Sequence, residues 1–286
     1  MREITRGDLL DLRKRLRARV LCESTRRKGD GLPTVNKVMA AVKTIFREAY
    51  FREDLPANPA DGVGDISYEE GGPDIFTLGE LRGMFGGPDP GTLAYRVFKT
   101  AAWTGMRCGE ILGGGVGQLS DGIFSVDHAW KHHKAEETGD PKWGKKRLIA
   151  LAPTIRTDLE RWIGERSSGL IFAYEDGRRL HAGWWRESFK ALLKSSQIAI
   201  GARHLTPHSL RHSLNTHLLE AGVDPLRVQV YLWGTKVEAG HAGIQRQGIT
   251  KTQSLYTHFQ AAMTEPVAKA IEGLLGAQTA ERVSAM

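Results

Sequence analysis

Along most of this chain apolar residues recur every three or four positions, the spacing of helices with one buried face. Leu9, Leu10, Leu12 and Leu16 predict a first amphipathic helix, broken by the Lys-Gly-Asp-Gly-Leu-Pro segment at 28–33. Val35, Val38, Met39, Val42, Ile45 and Phe46 predict a second, with Thr34 as its cap and the Pro56-Ala-Asn-Pro59 segment as its end. The run to about Pro73, with Gly62, Gly64, Gly71 and Gly72, reads as an extended linker and a domain boundary. Thr77 followed by Glu80 has the spacing of a capping box at a helix start. Leu93 to Trp103 predicts a helix stopped at Thr104-Gly105, and 107–112 a short one closed by Gly113, Gly114 and Gly115. Ile123–Val126, His128–His133 and Arg147–Leu151 are the strand candidates, with a Gly- and Lys-rich loop over 137–146. Ile155, Leu159, Trp162 and Ile163 mark a further helix, and helices and turns alternate to about Leu275. The pattern predicts a mainly α chain with a small antiparallel β-sheet, and it contains no internal repeats.

One predicted helix carries unusual chemistry. Thr206 suits an N-cap and Pro207 the first helical position, while Leu210, Leu214 and Leu218 supply a face to bury. His208 and Arg211 then lie one turn apart on the same side, beside the unpaired N–H groups of a helix start. A cation and a proton donor or acceptor in that setting suit a phosphate. His208 and His212 also have the i, i+4 spacing of a zinc helix. The metalloprotease version needs a glutamate after the first histidine, where Ser209 stands, and no nearby Asp, Glu or Cys set completes a ligand triad, so no metal is expected. His217 reads as helix surface or as a cap to a neighbouring element.

Composition sharpens this. The chain has 286 residues, with 40 Lys and Arg against 33 Asp and Glu, a formal charge of +7 that favours an anionic partner. Much of it is clustered early, in Arg13, Lys14, Arg15, Arg17, Arg19, Arg26, Arg27 and Lys28; a solvated helix face accounts for that run equally well. Cys22 and Cys108 are the only cysteines, too few for a disulfide framework, which fits a reducing compartment. No apolar run approaches the ~20 residues of a membrane span. The expectation is a soluble, cytoplasmic protein with no membrane partner.

Three further segments could join the His208–Arg211 helix. Thr104-Gly-Met-Arg-Cys-Gly-Glu110 places Arg107 at a tight turn into a short helix, though a surface arginine paired with Glu110 explains it alone. Lys142-Trp-Gly-Lys-Lys-Arg147 is a basic turn leading into an apolar strand, with a solvated loop as its simpler account. Thr252-Gln-Ser-Leu-Tyr256-Thr-His offers a late tyrosine, a residue type that most often packs half-buried. Taken together, two arginines, a lysine, histidines and a tyrosine form a phosphate-binding set with an oxygen nucleophile.

These segments, in this order, resemble the tyrosine recombinases, the phage-integrase and Xer-like family of site-specific DNA strand exchangers. The likeness runs over roughly residues 34–262 and is strongest in Thr-Gly-Met-Arg-Cys-Gly-Glu, Pro-His-Ser-Leu-Arg-His-Ser and Gln-Ser-Leu-Tyr-Thr-His. It implies Arg107 as the first catalytic arginine, His208 and Arg211 as the His-x-x-Arg pair, and Tyr256 as the nucleophile. Lys142 takes the β-hairpin lysine, with Lys145 and Lys146 as alternatives. The sixth position departs from the family's Leu-Gly-His pattern: His241 and Trp233 stand 15 and 23 residues before Tyr256, farther than expected. His241 is preferred because it follows a glycine, with Trp233 as the alternative.

The resemblance also implies a domain plan. A short, incomplete helical core-binding domain, expected to lack the family's first helices, would occupy 1–65, a linker 66–75, the catalytic tyrosine-recombinase domain 76–275 and a flexible tail 276–286. Expected partners are double-stranded DNA and further copies of the chain, a homo-tetramer formed through C-terminal helix exchange. The segment from Ala262 to about Leu275, with apolar Val267, Ala270, Ile271 and Leu274, would dock on a neighbouring subunit. The implied reaction runs through a 3′-phosphotyrosyl intermediate and a Holliday junction without metal or cofactor. The competing readings are a topoisomerase-like relaxing enzyme and a DNA-binding regulator on a decayed recombinase fold.

Overall fold

The computed structural model describes residues 4–23, 31–69, 71–131, 138–141, 146–234 and 257–276. The chain divides into two compact units, Met1–Gly72 and Pro73–Met286.

The first unit pairs α1 (Arg6–Glu23) with α2 (Leu32–Phe51). Leu9, Val35, Met39, Ala60 and Val63 form its small core, with Leu12, Leu16, Val20, Val42 and Phe46 packed around them. Thr34 does not cap α2. Gly31 is the N-cap, left-handed at φ 65°, and its carbonyl accepts the Thr34 N–H at 2.9 Å. The cause is Pro33, which has no N–H to leave unsatisfied and carries a helical φ, so the helix starts earlier than a Thr cap would allow. Glycine is needed at 31 because a Cβ there would collide with Val20. Lys14, Arg15, Arg17 and Arg19 stand exposed along α1, while Arg13 turns back to the Gly64 carbonyl. Asn36 donates to the Ile66 carbonyl at 2.9 Å and accepts its N–H at 3.0 Å, so the segment expected to leave as a linker starts out pinned to α2.

The second unit opens with α3 (Leu78–Phe85), whose capping box is formed: Glu80 accepts the Thr77 N–H at 2.8 Å, and the Thr77 hydroxyl accepts the Glu80 N–H at 3.2 Å. Next come α4 (Leu93–Thr104), α5 (Cys108–Leu112) and five short strands: β1 (Leu119–Ser120), β2 (Ile123–Val126), β3 (Ala129–Trp130), β4 (Thr138–Gly139) and β5 (Arg147–Ala150). Five helices complete it: α6 (Pro153–Ile163), α7 (Ala182–Ser195), α8 (Pro207–Glu220), α9 (Pro225–Trp233) and α10 (Thr257–Gly276). The architecture is thus mainly helical with small antiparallel sheets.

One sheet has the order β1-β2-β5, with Phe124 opposite Ile149 and Val126 opposite Arg147. The other pairs β3 with β4, Trp130 opposite Thr138. Two sequence expectations fail here. Only Ala129 and Trp130 of the 128–133 candidate are assigned to a strand, residues 132–137 lying outside the described set, and β4 falls inside the stretch expected as loop. Two-residue strands are too short to show an alternation.

The core of this unit lies between helices and sheet. Leu210, Leu214 and Leu218 are completely buried, each such side chain contributing roughly 1.5–3 kcal/mol. Phe98 of α4 meets Trp185 and Phe189 of α7 at ring distances of 4.7 and 5.2 Å. Of the two readings of His217, surface or a cap to a neighbouring element, the second holds: it is buried, its Nε2 facing the Phe76 carbonyl at 2.9 Å and its Nδ1 the Glu220 carboxylate at 2.9 Å. With the Ser213 hydroxyl accepting the Phe76 N–H at 2.8 Å, α8 satisfies the backbone just before α3.

The α10 face expected to dock on another subunit is filled within this chain. Val267 and Ile271 are completely buried in the unit's own core. The Thr264 hydroxyl accepts the Ala150 N–H of β5 at 3.2 Å, and Glu272 accepts both the N–H and the hydroxyl of Thr154 at the start of α6, at 2.9 and 2.6 Å. The β5 backbone and the α6 start supply polar partners that an apolar periodicity alone does not reveal.

Candidate active site

The leucine face that buries α8 carries Arg211 inward with it, leaving 3% of the residue exposed. Its guanidinium donates to the carbonyls of Gly105 and Leu232 and lies over the Trp233 ring, 4.8 Å from the centroid. Arg211 therefore ties together the end of α4, the middle of α8 and the end of α9.

Gly105 makes that approach possible. It ends α4 in a left-handed conformation at φ 60°, and a Cβ there would collide with Leu232 and lie 3.3 Å from Leu214. The left-handed region costs an ordinary residue about 1–2 kcal/mol before any clash. Gly105→Ala is accordingly expected to lower stability by at least about that amount, seen as a lower urea midpoint at unchanged m-value. A midpoint equal to wild type would contradict this packing.

Two residues past Gly105, Arg107 caps α5 and meets Glu110 one turn on. The carboxylate accepts the Arg107 backbone N–H at 2.8 Å and its guanidinium at 2.9 Å. The plain expectation of an Arg107–Glu110 pair is thus correct, but the pair is not a surface feature, since Glu110 is 2% exposed. Its second partner is Arg147, the first residue of β5, which grips it at 3.0 and 2.7 Å and is itself 2% exposed. Removing one member of such a buried pair costs roughly 3–5 kcal/mol, because the other charge is left uncompensated.

Arg147 was not singled out in the sequence. The available signal is its place in Arg147-Leu-Ile-Ala-Leu151, where alternation puts it on the same side as Ile149 and Leu151, both buried. A cation on the inward face of a strand requires a buried anion, and Glu110 is that anion.

The electrostatics follow from this geometry. Among the described residues, three guanidiniums, Arg107, Arg147 and Arg211, face one carboxylate, an excess of two positive charges. Burial, then the charges of Arg107 and Arg147, push Arg211 down to about 9, with Glu110 opposing them. It still carries its charge at pH 7, and an arriving anion would relieve the field that depresses it. Burial would raise Glu110, yet the Arg147 hydrogen bonds and charge, with the help of Arg107, hold it at about 2. Burial raises the Cys108 thiol to about 12, so the thiol beside Arg107 stays protonated and unreactive. It also raises the fully buried Tyr231 phenol.

His208 sits exposed in the first turn of α8, its ring edge-on to that of His212 at 4.6 Å. His212 is shifted down by burial and by Arg211. Trp233 stands against Arg211 as described. Lys146 is exposed, its ammonium 3.4 Å from Asp140, a surface pair of little energetic weight. Lys142, Lys145, His241 and Tyr256 lie outside the described residues. Among the described residues no group of three or more His, Cys, Asp and Glu is placed to hold a metal ion, and no helix is long and apolar enough to cross a membrane.

Comparison with known proteins bears on the same segments. The model of the phage integrase family matches residues 91–245, more than half of the chain, a span that contains Arg107, His208, Arg211 and His241 and stops before Tyr256. The tyrosine recombinase XerC of Herpetosiphon aurantiacus is 27% identical over 262 residues, covering 84% of this chain and 76% of that protein. Among solved structures, the Tn1549 transposon integrase in complex with a circular intermediate DNA has a TM-score of 0.64 at 18% identity, covering 80% of this chain and 77% of that one. A lambda integrase tetramer bound to a Holliday junction gives a TM-score of 0.61 at 16% identity, covering 82% and 63%. At such identities the structural likeness speaks for the fold.

Proposed function

Because the chain belongs to the phage integrase family, the tyrosine recombinases, we propose that the Arg107–Arg211 cluster is the phosphate-binding half of its DNA strand-transfer site. The chain is a site-specific DNA recombinase, a strand-transferring enzyme. The observation that carries the residue-level reading is the excess of two positive charges, among the described residues, in a hydrogen-bonded cluster of two buried arginines, Arg147 and Arg211, and the partly exposed Arg107. Attack on a phosphodiester builds a crowded, doubly charged phosphorane-like state, and fixed cations of matching charge stabilise it more than the singly charged ground state.

In this reading Arg107 and Arg211 hold the non-bridging oxygens, each through the N–H groups not engaged by Glu110 or by the carbonyls. The Tyr256 oxygen attacks phosphorus and the P–O5′ bond breaks. His208 takes the phenolic proton or contacts the phosphate, and Lys142 returns a proton to the leaving 5′-oxygen. The resulting 3′-phosphotyrosine retains the energy of the broken diester, so a partner 5′-hydroxyl reverses the step on a new strand. Neither a metal nor a cofactor enters this scheme. Burial keeps the Cys108 thiol beside Arg107 protonated and makes it a poor nucleophile.

Double-stranded DNA is the substrate, with residues 1–65 as a clamping unit and 76–275 as the catalytic domain. This reading extends the tetramer of the lambda neighbour to the present chain. Exchange of α10 between subunits would require it to leave β5 and α9, since its apolar face is filled in cis.

The test is covalent capture of DNA by the purified chain on nicked suicide duplexes drawn from a random-sequence pool. A protein–DNA adduct resistant to detergent is expected; tight binding without any adduct would instead indicate a regulator on this fold, and relaxation of supercoils without recombinant product a topoisomerase. On the captured duplex, parallel Trp233→Ala and His241→Ala variants assign the sixth group. His241→Ala is expected to slow cleavage more, and a larger loss in Trp233→Ala would move the role to the ring beneath Arg211.

A further inference from the structure

We infer that Arg147 is a positioning residue for both catalytic arginines, joining the strand that follows Lys142 to the two elements that hold Arg107 and Arg211. The inference rests on the recombinase reading above and adds a residue to it.

Each Glu110 oxygen is doubly occupied. Oε1 accepts Nη1 of Arg107 at 2.9 Å and Nη1 of Arg147 at 3.0 Å, while Oε2 accepts the Arg107 backbone N–H at 2.8 Å and Nη2 of Arg147 at 2.7 Å. A carboxylate offers about four acceptor positions, so this one is filled, and Arg147 occupies half of it. Arg107 is left with a single side-chain bond to Glu110, and 20% of its side chain is exposed. Without Arg147, the buried carboxylate would have Arg107 as its one hydrogen-bonded guanidinium among the described residues and would draw both prongs of it away from a phosphate.

The third donor of Arg147 reaches in the other direction. Its Nε donates to the Tyr231 carbonyl at 2.9 Å. The next carbonyl, that of Leu232, accepts Arg211, and the next side chain, Trp233, lies beneath it. Arg147 therefore fixes the end of α9 against which Arg211 is set. Its own position is fixed by the sheet, where it pairs with Val126. One fully enclosed guanidinium thus spans β5, α5 and α9, and it lies five positions after Lys142 along the chain. Lysine could not reproduce this, because one point charge cannot fill a forked carboxylate and a carbonyl in fixed directions together.

The experiment uses the full chain and nicked duplexes already captured by the wild type, with single-turnover cleavage, DNA affinity and the folded fraction measured on each variant. Arg147→Met is expected to slow cleavage per folded, DNA-bound molecule by about 100-fold, as for loss of an oriented oxyanion donor, with little change in affinity. Adding Glu110→Gln to it removes the carboxylate that would capture Arg107, and about tenfold of the rate should return, a coupling usual for contacting residues. A double variant no faster than Arg147→Met, or an undiminished rate in Arg147→Met, would overturn the inference. If Arg147→Met does not fold, Arg147→Lys carries the test: slowed cleavage at unchanged affinity supports the role, and a wild-type rate overturns it. Absence of any adduct from the wild-type chain would instead refute the recombinase reading itself.

Discussion

Arg211→Ala is expected to slow covalent DNA cleavage by about 100-fold or more, the loss of roughly 2.7–4 kcal/mol that follows removal of an oriented oxyanion donor. The structure gives the reason for so large an effect. The guanidinium is buried, directed by two backbone carbonyls and a ring, and burdened by like charges, so its field is strong and already oriented before DNA arrives. Alanine would also leave the Gly105 and Leu232 carbonyls without their donor, destabilising the fold by about 1–3 kcal/mol for each carbonyl left buried and unpaired. Cleavage must therefore be measured per folded molecule, by single-turnover kinetics beside a melting curve. Arg211→Lys separates charge from geometry: it keeps the cation, loses the fork, and should remain well below wild type. A wild-type single-turnover rate in Arg211→Ala would refute the phosphate-binding role.

The parts of this site that were legible in the sequence are those with a local signature. Thr206-Pro207 and three leucines at four-residue spacing specify α8, and that helix delivers Arg211 to the core. The capping box at Thr77 and the stop at Gly105 are equally local, set by one hydroxyl and one left-handed turn. What the sequence concealed depends on partners distant along the chain. Arg147 looks like the edge of a basic loop until Glu110, 37 residues earlier, is seen to require it. His217 reads equally as surface or as a cap to a neighbouring element until the Phe76 backbone, 141 residues away, decides for the cap. The β3–β4 ladder is too short to have a period, and the cap of α2 went to Gly31 because Pro33 lies two residues beyond it. The α10 periodicity gave the helix but not its packing within the chain: it reports that a face is buried, not against what.

Tyr256→Phe is the second large effect expected. It should abolish covalent protein–DNA product altogether while leaving DNA affinity close to wild type, because phenylalanine keeps the ring and lacks the attacking oxygen. A phenol of ordinary pKa, about 10, is almost entirely protonated at pH 7, so the hydroxyl reacts only where cations or a base assist its ionisation. In the proposed mechanism the cluster supplies such cations, and a phenylalanine would give them nothing to activate. Undiminished adduct in this variant would remove Tyr256 from the mechanism and leave the arginine cluster in need of another nucleophile.

The central claim is that the arginine cluster activates a phosphodiester toward Tyr256, and mapping the trapped adduct tests it most directly. Wild-type chain captured on a nicked suicide duplex would be digested with nuclease and protease, and the nucleotide-bearing peptide sequenced by mass spectrometry. The account predicts a 3′-phosphate ester on Tyr256 and its loss in Arg211→Ala; a linkage on any other residue, or equal Tyr256 adduct in Arg211→Ala, would contradict it.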